Sequence, residues 1–211
     1  MQHEDPPNED LPQDGLRERK RRDTLERIAQ TGLDLFVSKG YEHTTLDDIA
    51  AAAGISRRTF FHYFKSKDEI LLAWQAGLVD SVRVAVLEEP TTQSPLDALC
   101  AALLKMALQY DTPTAAVIAR LVRSSDLLRA ANQAKFVRLE NAAFEALCHL
   151  WPQRARRERL RMVAMAGLGA FRVAIDEWAD QGAKGSLHRH IAKAFASLRS
   201  ELQPDPQAPR T

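Results

Sequence analysis

The residues best suited to chemistry in this chain are two adjacent arginines, Arg57 and Arg58, in the stretch GISRRTFFHYFKSK. Arginine can form paired hydrogen bonds with the edge of guanine or bind a phosphate group. Lys67 follows where the next helical pattern starts, and a helix N-terminus also favours an anion. Polar side chains that can join in such contacts lie in the same segment: Ser56, Thr59, His62 and Tyr63. These residue types indicate binding of a polyanion.

The charge distribution supports an anionic partner for this part of the chain. The 211 residues include 29 Lys and Arg against 28 Asp and Glu, so the net charge alone says little. Residues 1–15 hold five acidic residues and no Lys or Arg, whereas residues 16–67 hold eleven basic and seven acidic residues. A basic segment behind an acidic tail favours an anionic partner for that segment.

The elements that position the arginines read as a helix-turn-helix. A helix is predicted from about residue 17 to 39, and Thr45 with Asp48 forms a capping box that starts a second one. Gly54 breaks that helix, and Ser56 caps the third, RRTFFHYF, in which two phenylalanines four residues apart should pack inward. The second helix of such a motif enters the major groove of DNA. Simple packing of a helical pair is the alternative.

The segment GYEHTTLDDIAAAAGISRRTFFHYFKSKDEIL, residues 40–71, resembles the DNA-binding domain of the TetR family of bacterial transcriptional regulators. The residues that carry the resemblance are Gly40, Tyr41, Thr44, Thr45, Ile49, Ala50, Ala53, Gly54, Ile55, Ser56, Thr59, Tyr63, Phe64, Ser66 and Lys67. It implies phosphate contacts by Thr45, Tyr63 and Lys67, and positions in or beside the major groove for Arg57, Arg58 and Thr59. Phe61 departs from the family pattern, in which many members have a tyrosine that binds phosphate.

The rest of the chain is helical in pattern, without a convincing strand, and we expect an all-α fold. Five further helices are predicted at about residues 95–110, 114–124, 126–151, 153–180 and 186–202. The expected organisation is a disordered acidic tail (1–16), a helix-turn-helix DNA-binding domain (17–66), a helical regulatory and dimerisation domain (67–202) and a disordered tail (203–211). The family resemblance implies that the third region binds a small molecule and dimerises.

Candidate residues for those two roles come from apolar patterns. The expected effector pocket is lined by Trp74, Leu103, Met106, Tyr110, Phe136, Phe144 and Met165. The expected dimer interface consists of apolar stripes on the last two helices: Phe171, Ile175, Trp178, Ile191, Phe195 and Leu198. For both sets the alternative is that the side chains only close the core of the protomer.

Other classes of function receive little support from the sequence. We find no catalytic constellation, no metal-ligand spacing and no cofactor motif, and Cys100 and Cys148 lie in apolar helical patterns. We expect no membrane span, because no apolar run approaches the required length, and no secretory signal is recognisable, so we expect a cytoplasmic protein. The expected function is a dimeric repressor that binds a pseudo-palindromic operator and is released by an effector. The alternatives are a helical ligand-binding or interaction protein without specific DNA binding, and an activator.

Overall fold

The computed structural model describes residues 13–110, 112–122 and 126–202, and within these ranges all regular secondary structure is helical. The expected all-α fold is confirmed, and the predicted helices agree with the observed ones to within a few residues. The helices are α1 (Gln13–Ser38), α2 (Leu46–Ala52), α3 (Arg57–Tyr63), α4 (Lys67–Leu87), α5 (Pro95–Tyr110), α6 (Pro113–Leu121), α7 (Asp126–Leu150), α8 (Arg157–Asp180) and α9 (Leu187–Leu202), with a 3₁₀ turn at Arg154–Arg156.

The chain divides into two compact units, residues 1–74 and 75–211, and the division falls within α4. The sequence predicts this boundary between residues 66 and 67, at the start of α4, which is eight residues before the observed division. The expected N-terminal tail is too long, because residues 13–16 already belong to α1. Residues 1–12 and 203–211, the remaining parts of the two expected tails, lie outside the described residues.

The core of the first unit forms where α1 packs on α2 and α2 packs on α3. Its most deeply buried side chains are Ile28, Leu33, Phe36, Ile49, Phe60 and Ile70. Gly32 permits a close approach, because a Cβ at this position would lie 2.9 Å from Cδ1 of Ile70. The Arg27 guanidinium donates a 3.0 Å hydrogen bond to the carbonyl of Ala53 and so ties α1 to the end of α2.

The second unit is built around α8, which packs against α7, α9, α5 and α6. Leu99 and Leu103 of α5, Leu139 of α7, and Ile191 and Phe195 of α9 are almost inaccessible to solvent. Burial of such aliphatic and aromatic side chains is the main contribution to the stability of a helical unit of this kind.

Helix α4 corrects one expectation from the sequence. At 21 residues, with a mean hydropathy of 1.6 over its most apolar stretch, it is long and apolar enough to cross a membrane by length and composition alone. Core helices of soluble proteins meet the same criterion. Near the C-terminal end of α4, Arg83 forms a 3.2 Å ion pair with Glu145 of α7, and both side chains are about half exposed. A bilayer interior would penalise such charges.

Candidate nucleic-acid interface

The turn between α2 and α3 is set by hydrogen bonds at the end of α2. The amide of Gly54 donates to the carbonyl of Ala51, and the amide of Ile55 donates to the carbonyl of Ala50. This pair of bonds is the Schellman motif, which requires a left-handed residue after the helix. Gly54 provides it with a φ of +67°. The chain therefore reverses sharply and presents the first turn of α3.

Helix α3 begins with a serine cap and is anchored by two aromatic rings. The Ser56 hydroxyl accepts a 3.1 Å hydrogen bond from the amide of Thr59 and lies 2.8 Å from the Thr59 hydroxyl. Phe60 and Phe64 are buried, as the sequence predicts, and their rings pack 5.9 Å apart. Since these two residues hold one side of the helix in the core, the opposite side faces solvent.

The solvent-facing side of α3 carries the predicted contact residues, and we call Ser56, Arg57, Arg58, Phe61 and His62 the α3 face. All five are exposed. Arginine, phenylalanine and histidine side chains here follow the i, i+4 spacing of one helical surface, which brings them into one patch. The two remaining predicted residues of this helix, Thr59 and Tyr63, are half-buried at its edge.

The two arginines of the α3 face differ in their partners. The Arg57 guanidinium forms a 2.9 Å ion pair with Asp47 of α2, and both side chains are 63% exposed. It also lies 5.6 Å from the centre of the Phe61 ring. Arg58 forms no ion pair with any residue that the structure describes. An exposed pair such as Arg57–Asp47 contributes at most about 1 kcal/mol, so a phosphate or base can replace the carboxylate.

Thr45 caps α2 and is part of a small charged cluster. Its hydroxyl donates a 2.8 Å hydrogen bond to a carboxylate oxygen of Asp48 and accepts one from the Asp48 amide. The Lys39 ammonium bonds to the same oxygen at 2.7 Å. This bond, followed by those from Thr45, holds the pKa of Asp48 well below its usual range. Thr45 is exposed, and its phosphate contact stays a prediction.

Lys67 stands at the start of α4, where the structure gives it partners that the sequence did not indicate. Its ammonium donates a 2.7 Å hydrogen bond to the carbonyl of Tyr41 and lies 4.3 Å from the centre of that ring. The Tyr41 hydroxyl in turn donates to Asp68 at 2.6 Å, and burial together with this carboxylate raises the pKa of Tyr41. Lys67 is thus half-buried and held in place rather than extended into solvent.

Sequence reasoning missed three residues that bond to the candidate contact residues or support them. Asp47 pairs with Arg57, Tyr41 accepts from Lys67, and Asp68 accepts from Tyr41. The helix-turn-helix pattern holds one usable signal, since it places the first turns of α2 and α3 side by side and Asp47 lies in the first turn of α2. No local signal links Tyr41 to Lys67, which is 26 residues away.

The residues expected to line an effector pocket fall into three groups. Leu103, Met106, Phe136 and Phe144 are buried in the second unit. Met165 is 54% exposed on α8 and so does not belong to this buried group, and its place in a pocket stays a prediction. The side chains of Trp74 and Tyr110 lie outside the described residues.

The stripes expected to form a dimer interface are largely used within the protomer. Phe171, Trp178, Ile191 and Phe195 are at most 8% exposed, while Ile175 and Leu198 are half-buried. These four side chains pack within the protomer, which is the alternative that the sequence leaves open, and their part in a dimer interface stays a prediction. The apolar side chains that α8 does expose are Met162, Met165 and Val173.

The part of the chain that the structure describes holds no metal-binding cluster. There, no group of three or more His, Cys, Asp or Glu side chains lies close enough to hold a metal ion. The Cys100 thiol is buried, and burial raises its pKa, which disfavours the reactive thiolate.

Comparisons with known proteins identify the first unit and the fold. Residues 28–74 match the family model described as bacterial regulatory proteins, tetR family. The transcriptional regulator TcmR of Streptomyces glaucescens is 42% identical over 89 residues, which are 42% of this chain and 39% of TcmR. The chain therefore matches only about two fifths of the length of this relative.

Solved structures extend the similarity to most of the chain. FadR of Thermus thermophilus, described as a TetR-family transcriptional repressor in complex with lauroyl-CoA, is 23% identical, with a TM-score of 0.62 over 89% of this chain and 100% of that one. FadR of Bacillus halodurans is 18% identical, with a TM-score of 0.64 over 86% of this chain and 97% of that one. At these identities the likeness establishes a shared all-helical fold.

Proposed function

We propose that this protein is a DNA-binding transcriptional repressor of the TetR family, whose family model matches residues 28–74. It acts in the cytoplasm as a homodimer on a pseudo-palindromic operator, and a small-molecule effector releases it. The observation that carries the proposal is the α3 face. There, the exposed Arg58 has no ion-pair partner among the described residues, and the neighbouring Arg57 pairs with an exposed carboxylate.

Each candidate contact has a role that fits its geometry. Arg58, at the start of α3, is free to read a base edge, and Arg57 exchanges Asp47 for DNA. Thr45, Tyr63 and Lys67 bind backbone phosphates. An ammonium has three donors and Tyr41 takes one of Lys67, so two remain for a phosphate. Ser56, Thr59 and His62 complete the contact surface.

The exposed side of α8 provides the proposed dimer interface. Met162, Met165 and Val173 are each between 54% and 60% exposed. Their spacing places them on one side of the helix, and Gly169 lies on the same side between Met165 and Val173. Glycine allows two helices to approach closely, and exposed apolar side chains are stabilised by contact with a second copy. The two α3 faces of a dimer then read half-sites about one DNA turn, ~34–36 Å, or a multiple of it apart.

Effector release requires that the small molecule bind one state of the dimer more tightly than the other. A coupling of about 1–3 kcal/mol between the effector and operator sites is typical, which changes operator affinity by roughly 5- to 150-fold. The structurally similar FadR of Thermus thermophilus was solved with lauroyl-CoA. By analogy we propose that this protein also binds a small molecule, and that the second unit, which lies outside the DNA-binding region, holds it.

The decisive test is fluorescence anisotropy with duplex DNA from the region flanking the protein's own gene. Wild type should bind one segment selectively, with an affinity that falls steeply as salt increases. Arg58→Ala should weaken binding to that segment by about 1–3 kcal/mol and relax selectivity at one base position. Arg189→Ala, an exposed arginine on α9, is the matched control and should change neither quantity.

The result that would reject the proposal is a folded dimer that binds no sequence selected from a pool of random duplexes. In that case the alternative function, a helical ligand-binding or interaction protein, would stand. Selective binding at a site upstream of a promoter with increased transcription would instead identify an activator.

A further inference from the structure

Lys135 on α7 is a buried cation in the second unit. The residue is only 8% exposed, one of three buried polar or charged residues in the described part of the chain. Its ammonium lies 4.7 Å from the centre of the Phe136 ring. No hydrogen bond or ion pair to Lys135 occurs among the described residues. A largely buried cation without a bonded counter-ion is unfavourable. The Lys135 ammonium is nevertheless not fully enclosed, so an anion can reach it.

A second cation faces the same ring from the neighbouring helix. The guanidinium of Arg172 on α8 lies 5.4 Å from the centre of the Phe136 ring. The carboxylate of Asp176 acts on both cations: it lies 4.0 Å from Arg172, it influences the ammonium of Lys135, and it has a further interaction of its own. Two positive groups and one shared carboxylate leave an excess of positive charge at the junction of α7 and α8.

The pKa of Lys135 is consistent with this excess of positive charge. Burial lowers the pKa of its ammonium to about 8, Asp176 opposes that change, and Arg172 adds to it. The attraction of Asp176 is therefore too weak to offset the loss of solvent. An anion placed beside the two cations would reverse the balance, because an opposite charge nearby favours the charged form.

The surroundings of the two cations are aromatic. Phe136 and Phe171 are each 8% exposed, and their rings meet edge to face at 6.4 Å. Apolar walls with a few charged groups are typical of sites for small organic molecules. The cluster of arginines near Phe144 is a poorer candidate, since Arg161 there already bonds to Asn141 and pairs with Glu140.

We propose that Lys135 and Arg172 bind the anionic group of the effector, whose apolar part lies against Phe136 and Phe171. This inference rests on the proposed function, and it names the chemical class of the effector as an organic anion with an apolar body.

The test uses two fluorescent probes that differ by one charged group. 8-Anilinonaphthalene-1-sulfonate has an aromatic body with a sulfonate, and N-phenyl-1-naphthylamine has the same body without it. Dissociation constants are measured with the full chain for wild type and for Lys135→Met, which keeps the aliphatic stem and removes the charge. We expect the sulfonate probe to bind at least tenfold more weakly to Lys135→Met, while the neutral probe binds both proteins alike.

Two further variants serve as controls. Lys135→Arg keeps the positive charge and should retain the preference for the sulfonate probe. Lys184→Met removes an exposed lysine of the same unit and should bind both probes as wild type does. Equal affinity of wild type and Lys135→Met for the sulfonate probe, or an equal loss for both probes, would overturn the assignment.

Operator binding measured on the same samples distinguishes a failure of this inference from a failure of the proposed function. If Lys135→Met binds the operator like wild type and the anion preference disappears, both the inference and the proposed function stand. If operator binding is normal but the anion preference does not depend on Lys135, the inference alone fails. If wild type binds no operator, the proposed function fails and the probe result still decides whether Lys135 forms an anion site.

Discussion

Arg57 and Arg58 are neighbours in the chain, but only Arg57 has a carboxylate partner, Asp47. Side chains on the surface of a DNA-binding helix compete for partners in the free protein as well as in the complex. The Asp47 carboxylate holds Arg57 in the free chain, and in the proposed complex with DNA it would also repel the phosphate backbone. Both effects lower the affinity for DNA, whereas a role of Asp47 in positioning Arg57 would raise it.

We predict that Asp47→Ala increases affinity for operator and random duplexes alike. The exposed ion pair contributes at most about 1 kcal/mol, whereas removing the carboxylate both frees Arg57 and reduces repulsion, so affinity should rise roughly two- to fivefold. The measurement is anisotropy across a salt series. Glu158→Ala, which removes one exposed acid from α8, should leave affinity unchanged. A loss of affinity in Asp47→Ala would mean that Asp47 positions Arg57 for DNA.

The free energy of unfolding should depend on pH through Lys135. Burial lowers its pKa from 10.5 to about 8 in the folded chain, with Asp176 and Arg172 as the charged groups that face it. Between these values the unfolded chain binds more protons, so the folded state gains stability as pH rises from about 8. The difference is on the order of 1–3 kcal/mol.

Urea unfolding of wild type and Lys135→Met at pH 7.5 and 9.5 measures this effect. Because other lysines and tyrosines also titrate in this range, the informative quantity is the difference between the two proteins. Lys135→Met should be the more stable at the lower pH, and its advantage should shrink at the higher one. An advantage that does not change with pH would contradict the assigned burial of charge.

At the scale of elements, the junction of α2 and α3 depends on a backbone conformation rather than on side-chain packing. Gly54 has a φ of +67°, and a Cβ at this position would meet nothing within 4 Å. The requirement for glycine is therefore a property of the left-handed conformation itself. The position of the α3 face depends on this single residue.

We predict that Gly54→Ala lowers the free energy of unfolding by about 1–2 kcal/mol through backbone strain. Gly77 is the matched control, since it also has open space around it but lies inside helix α4. There, alanine should raise stability by about 0.5–1 kcal/mol, because glycine loses more conformational freedom in a helix. Urea midpoints of both variants decide the matter, and changes of the same sign would rule out strain as the cause.

The helices themselves were predictable from the sequence because their boundaries have local causes. Thr45 and Ser56 cap α2 and α3 through hydrogen bonds to amides three residues away, and both appear in the structure as expected. The start of α1 was placed four residues too late, since residues 13–16 carry no apolar periodicity from which to extend the helix. Such frayed ends are the least determined part of any helix.

At the scale of the whole molecule, the proposed dimer depends on which side of α8 remains exposed. Val173 on α8 and Val137 on α7 are both 60% exposed. We predict that Val173→Glu yields monomers in sedimentation velocity and weakens operator binding at least tenfold, because a buried unpaired carboxylate opposes association. Val137→Glu should remain dimeric and bind the operator like wild type. A dimeric Val173→Glu would exclude this face of α8 as the interface.

The sequence alone determined the helical class, the helix order, the caps and the inward orientation of Phe60 and Phe64. These features follow from hydrogen bonds and periodicities within a few residues of one another. It also carried the TetR-type motif, because that motif lies in one continuous segment.

Only the tertiary structure decided which side chains meet across helices. The pairing of Lys67 with Tyr41, the burial of Lys135 beside Arg172, and the inward position of Phe171, Trp178, Ile191 and Phe195 depend on how α helices pack after folding. An apolar stripe has the same spacing whether it contacts the protomer's own helices or those of a second copy. The choice between these outcomes is a property of the packed helices, which no local pattern in the chain contains.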